Sequence, residues 1–83
     1  MVVRNPKELA MQVKSYRKSK SISQVNISES VGIKQATVSS FERKPEATKL
    51  DTLFLILSAA NLEIEIRPKG FRSRNNNDWQ EEW

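Results

Sequence analysis

Lys34, Gln35, Ala36, Thr37, Ser39 and Ser40 crowd into one short stretch of the chain, where a packed core would call for leucines. Their chemistry is that of recognising a flat, hydrogen-bonding partner. Gln35 offers a donor and an acceptor together, as an adenine edge requires, and Lys34 can donate to guanine O6 and N7. Ala36 and the methyl of Thr37 suit a thymine methyl. Ser39 and Ser40 are short enough to let a helix sit deep and can bond phosphate or base. Lys20, Arg43 and Lys44 would add attraction for phosphate without regard to sequence. The competing reading is that these are solvated helix residues, and the surrounding elements decide between the two. Catalysis finds little support. The chain has no histidine and no cysteine, which removes thiolate metal sites, cysteine nucleophiles and histidine bases. It has no paired acids and no glycine-rich loop, so it reads as a non-enzyme that needs no cofactor or metal.

The elements that would carry these residues are legible from caps and periodicity. Asn5-Pro6-Lys7-Glu8 has the pattern of a capped helix start, with Glu8 placed for a capping box. Leu9, Val13 and Tyr16 recur on one face, with Lys7, Lys14 and Lys18 opposite, giving a first helix over about 6–18. Ser23 caps a second helix of about 24–31, and Ile22 and Ile27 have the spacing of a hydrophobic staple. Ile27 and Val31 continue the buried stripe, and Gly32 can take the left-handed turn. A third helix must start near Lys34, with Val38 and Phe41 inward and Ile33 leading in. It has no Ser, Thr or Asp cap, so its first N–H groups lack a side-chain partner, an advantage in front of a phosphate. Ser23 and Gln24, at the start of the second helix, are placed to grip phosphate as well. Pro45 ends the third helix. Thr48 and Asp51 make a cap-like pair for a fourth, whose Leu50, Leu53, Phe54, Ile56, Leu57 and Ala60 predict the most buried helix, ending at Asn61.

The period then switches to two. In "LEIEIRP", Leu62, Ile64 and Ile66 point one way and Glu63, Glu65 and Arg67 the other, which is a strand pattern with no partner strand elsewhere in the chain. Pairing with its own copy across a two-fold axis would satisfy the open edge and make a homodimer; packing within one chain is the alternative. The polar remainder reads as a flexible tail. Trp79 and Trp83 lie at its end, either idle or as anchors for a partner's pocket. The predicted fold class is therefore all-α, a four-helix domain over 1–61, a dimerising strand over 62–68 and a tail over 69–83.

Bulk properties agree with that plan. A chain of 83 residues allows one small domain with a modest core. Its net charge is +4, but residues 1–50 hold ten Lys/Arg against four Asp/Glu, whereas 51–83 hold four against six. A basic front half suits a polyanion. No run approaches the length of a membrane span and the first residues have no signal-peptide core, so the expectation is a cytoplasmic protein with no membrane partner.

Two short amphipathic helices around a glycine turn form the helix-turn-helix plan. Ser23, Gln24, Ser28, Gly32, Val38 and Glu42 resemble the Cro/C1-type helix-turn-helix family over about 9–61. The resemblance implies a lambda-repressor-like domain reading a palindromic operator in double-stranded DNA. Two positions depart from the pattern: Ser28 stands where alanine is usual and Lys34 where a capping serine is common. A hydroxyl at Ser28 can bond back to the helix. "GIKQATVSSFE", the proline loop, "LDTLFLIL", the alternating segment and the tryptophan-tipped tail together resemble the HipB-like antitoxins of that family. That implies autorepression and a partner toxin, a HipA-like serine/threonine kinase held inactive, with Trp79 and Trp83 as candidate toxin contacts. A stand-alone repressor, or an antitoxin of another toxin such as a split kinase or an mRNA nuclease, remains an alternative.

Overall fold

The computed structural model describes residues 2–70. Four helices follow in order: α1 (Pro6–Ser19), α2 (Gln24–Val31), α3 (Gln35–Arg43) and α4 (Leu50–Ala59), with a 3₁₀ turn at Pro45–Ala47 between α3 and α4. The starts of α1 and α2 obey local chemistry. The Asn5 side chain accepts from Glu8 N at 2.8 Å, and Pro6 occupies the first turn. Glu8 reaches back to Arg4 N at 2.8 Å, one residue earlier than a capping box would place it. At α2, Ser23 Oγ accepts from Asn26 N and Asn26 Oδ1 accepts from Ser23 N, a complete reciprocal box. Gly32 ends α2 with φ of 73°, a left-handed conformation costly for a residue with a Cβ.

The core is Ala10 and Val13 of α1, Ile27 of α2, Val38 and Phe41 of α3, and Ile56, Leu57 and Ala60 from α4 and its end. Leu9, Ile22, Ile33, Leu53, Ala59 and Leu62 pack around it. Each large member contributes about 1.5–3 kcal/mol by leaving water. α2 lies against both α3 and α4, while α1 packs on α3 and the 3₁₀ turn. Ser28 is buried in α2, and its hydroxyl donates to Val25 O at 3.0 Å, so the small polar residue is satisfied within its own helix.

Two expectations are corrected. Thr48 and Asp51 do not form a cap: Lys49 takes the N-cap position of α4 without a side-chain bond, and Asp51 accepts from the neighbouring Thr52 N. α4 is not the most buried helix. Leu50 is 69% and Phe54 51% exposed, because only one side of the helix meets the core. The pairing expected of residues 62–68 needs a second copy; in the single chain they form neither helix nor strand. A strand exists by virtue of its hydrogen-bond ladder, and a single chain supplies no second edge. Leu62 is tied to the core, its N–H donating to Leu57 O at 2.8 Å, but Ile64 is exposed and Ile66 is 76% exposed. Trp79 and Trp83 lie outside the described residues.

Candidate nucleic-acid interface

α3 is divided cleanly between two environments. Val38 and Phe41 face the core, whereas Lys34, Gln35, Ala36, Ser40, Arg43 and Lys44 are exposed, with Thr37 and Ser39 half-buried beside them. Lys34 is the N-cap residue and contributes no side-chain bond to α3, leaving the first turn open to a ligand oxygen. The exposed members make up the outward face of α3. Ser39 Oγ accepts from Arg43 Nε at 3.3 Å, which aligns the guanidinium along that face while leaving the hydroxyl proton free to donate.

Behind this face runs a chain of polar contacts that sequence reading did not detect. Arg17 is buried at 7% exposure although it lies on the apolar side of α1. Its Nε donates to Glu42 Oε2 at 2.7 Å and its Nη2 to Glu42 Oε1 at 3.0 Å, a bidentate pair 25 residues apart in sequence. Its Nη1 donates to Ile22 O at 2.9 Å, fixing the connection that enters α2. Gln24 Nε2 donates to Glu42 Oε1 at 2.9 Å, and Gln35 Nε2 donates to Gln24 Oε1 at 3.3 Å. The relay from Arg17 to Gln35 thus ties α1, α2 and α3 together and ends on the outward face. Burial pushes the Glu42 carboxyl up, but hydrogen bonds from Arg17 and Gln24, with the charges of Arg17 and Lys14, outweigh it and hold the carboxyl below its ordinary value of 4.5. The local signal was available: a charged residue one turn after Val13 and another directly after Phe41, each on a core-facing stripe, must find a partner.

Gln24 is consequently half-buried, with both ends of its amide engaged, and its side chain positions Gln35. Ser23 is engaged as the α2 cap through Asn26, though its position at the helix start stays exposed. Lys20 is exposed at the end of α1, with its ammonium 5.7 Å from the Tyr16 ring centroid, within cation–π range.

Beside α3 a groove of about 540 Å³ runs from Ala36 to Lys44 and on to the start of α4. Arg43, Lys44 and Lys49 and the hydroxyl-bearing Thr37, Ser40, Thr48 and Thr52 line it, and no carboxylate does. Cations and hydroxyls without a competing acid form a lining for an anion such as a backbone phosphate. Lys49 and Thr52 are not marked in the sequence, and Thr48 is marked there only as a cap, because the loop that folds them against α3 is invisible to periodicity.

This two-helix unit with an open, polar second helix defines a helix-turn-helix protein, and a helix-turn-helix family model matches residues 13–66. Within that class the chain belongs to the HipB antitoxin family. It is 37% identical over 62 residues to Antitoxin HipB of Escherichia coli (strain K12) and to Antitoxin HipB of Escherichia coli O6:H1 (strain CFT073). The match spans 75% of this chain, 70% of the first relative and 66% of the second. Among solved structures it superposes on a chain of a HipA–HipB–O2–O3 complex with a TM-score of 0.81 and 33% identity, over 83% of this chain and 97% of that one. A HipB–O4 20mer complex gives the same values. Among the described residues no helix is long and apolar enough to cross a membrane.

Proposed function

We propose that this chain is an antitoxin and transcriptional autorepressor. It binds a palindromic operator as a homodimer and neutralises a HipA-like serine/threonine kinase toxin. The observation that carries the DNA-reading part is the outward face of α3, polar from Lys34 to Arg43 and backed by the relay that ends on Gln35. Support for the toxin partner comes from the relatives, which are HipB antitoxins and include one solved in complex with HipA.

In this reading α3 enters the major groove. Gln35 uses one amide proton on Gln24; its second proton and its Oε1 remain for adenine N7 and N6. Lys34 donates to guanine, and Ala36 and Thr37 meet thymine methyls. Ser39 bonds a base edge and Ser40 a phosphate. Ser23 and the first N–H groups of α2 hold a phosphate on one side of α3. Arg43 and Lys44, with Lys49, hold another through the acid-free groove, and Lys20 adds general attraction. Residues 62–68 pair with the same segment of a second copy. The two recognition helices then stand about 34–36 Å apart, one turn of duplex, and the operator is a palindrome. Trp79 and Trp83 contact the toxin.

The test uses a duplex taken from upstream of the chain's own reading frame and a kinase-like protein of the HipA type. The chain should prefer that duplex to a scrambled one in an anisotropy titration, and should co-purify with the kinase and suppress its autophosphorylation. Equal affinity for both duplexes rejects the repressor, and a kinase that stays fully active rejects the antitoxin.

A further inference from the structure

α1 presents a second feature that the reading of bases does not use. Lys7, Lys14 and Lys18 are all exposed, and their spacings of seven and four residues put them within one narrow strip along the helix, with Met11 between them. The strip is about 16 Å long at 1.5 Å per residue. It contains no acidic residue. Glu8, to one side, is occupied by the Arg4 N–H. The only ion pair among the described residues is Arg17–Glu42, so none of the three lysines has a carboxylate of the described residues within bonding reach.

The helix that carries the row is bound to α3 through the Arg17–Glu42 pair. Lys14 lies one turn from Arg17, and its charge acts on Glu42, the acceptor that holds Gln24 and through it Gln35. Lys18 leads into the connection that ends at the capped start of α2. A line of uncompensated cations fits a partner whose negative charge repeats along a line, rather than a single anion. Duplex DNA carries one charge per ~1.7 Å of its axis, and α3 already brings it to the adjoining surface.

We propose that the lysine row of α1, Lys7, Lys14 and Lys18, binds backbone phosphates of the DNA that flanks the half-site, lengthening the footprint beyond the palindrome. This rests on the DNA-reading role of α3. The row contributes affinity without sequence preference, and its contribution disappears first as salt rises.

The test compares the wild type with the triple variant K7Q/K14Q/K18Q, glutamine being close to lysine in helix propensity. Each is titrated onto the upstream duplex trimmed to the palindrome and onto the same duplex with about one turn (~10 bp) of flank on either side. The wild type should bind the flanked duplex more tightly, and the triple variant should bind the two alike. The slope of log K against log salt should fall by about 3 per protomer, at ~0.9 per phosphate. The preference for the palindrome over a scrambled duplex should not change. An unchanged slope and an unchanged flank effect overturn the proposal. So does a variant that keeps both yet loses capture of the kinase-like protein, which would assign the row to an acidic protein surface. A wild type with no preference for the palindrome refutes the α3 reading itself and the proposal with it, a distinct result. If the triple variant loses its helical circular dichroism, K14Q and K18Q made singly should each give about a third of the slope change.

Discussion

Glu42 holds together the interior and the reading surface. Its side chain is 3% exposed, and it accepts from both Arg17 and Gln24. Removing one partner of a buried ion pair costs about 3–5 kcal/mol, because the other charge is left desolvated. For a domain whose whole stability is about 5–15 kcal/mol, Glu42→Ala should be severely destabilising, which urea denaturation would measure. The depressed carboxyl also makes a statement about pH. A group whose folded value lies below its unfolded value stabilises the fold above the unfolded value, here 4.5. That contribution is lost as pH falls through the folded value. Glu42→Gln keeps the shape without the charge, so its urea midpoint should change less with acidification than that of the wild type. Parallel acid limbs for the two proteins would show that Glu42 does not carry the effect. At the far end of the relay, Gln35→Ala should weaken specific binding by about 1–3 kcal/mol while leaving binding to a scrambled duplex nearly unchanged. Anisotropy on the two duplexes separates those outcomes.

Among the elements, legibility followed the range of the forces involved. Ser23, Gly32 and Pro45 mark the limits of α2 and the end of α3 in the sequence because capping, left-handed backbone and a missing N–H act within a turn or two. Val38 and Phe41 are likewise visible as an inward stripe. The Arg17–Glu42 pair was not, since it joins residues 25 apart whose meeting depends on how α1 crosses α3. Nor was the exposure of α4: apolar periodicity reports what a face is made of, and only packing decides how much of it is covered. Of the predicted reading set, Lys34, Gln35, Ala36 and Ser40 are exposed and Thr37 and Ser39 half-buried, whereas Gln24, read as a phosphate ligand, is drawn inward by Glu42. The turn between α2 and α3 offers a direct check on the local rules. Gly32 has φ of 73° and open space where a Cβ would stand, so Gly32→Ala costs conformational strain alone. A loss of about 1–2 kcal/mol is expected for forcing an alanine into the left-handed region. Thermal melts should show it as a lower Tm with the DNA preference intact in the remaining folded protein. A larger loss, or altered preference, would mean that the turn also sets the angle of α3.

The molecule as a whole leaves apolar surface that a free monomer of this size would be expected to cover. Leu50, Phe54 and Leu55 of α4 are 69%, 51% and 41% exposed, and Ile64 and Ile66 add to the uncovered set beyond it. The backbone of residues 62–68 is likewise outside any strand or helix. The proposed two-fold partner would answer both demands, since the alternating segment would gain a ladder and its isoleucines a covered face. Ile64→Asp puts a charge at the centre of that segment without touching the buried core, so α1 to α4 should fold as before. Light scattering should then report a monomer in place of a dimer, and the Tm should lose its dependence on protein concentration. Operator binding should weaken more than binding to an isolated half-site, because the second recognition helix no longer arrives tethered to the first. An Ile64→Asp protein that remains dimeric would move the two-fold contact away from residues 62–68, and the exposed face of α4 would be the next surface to mutate.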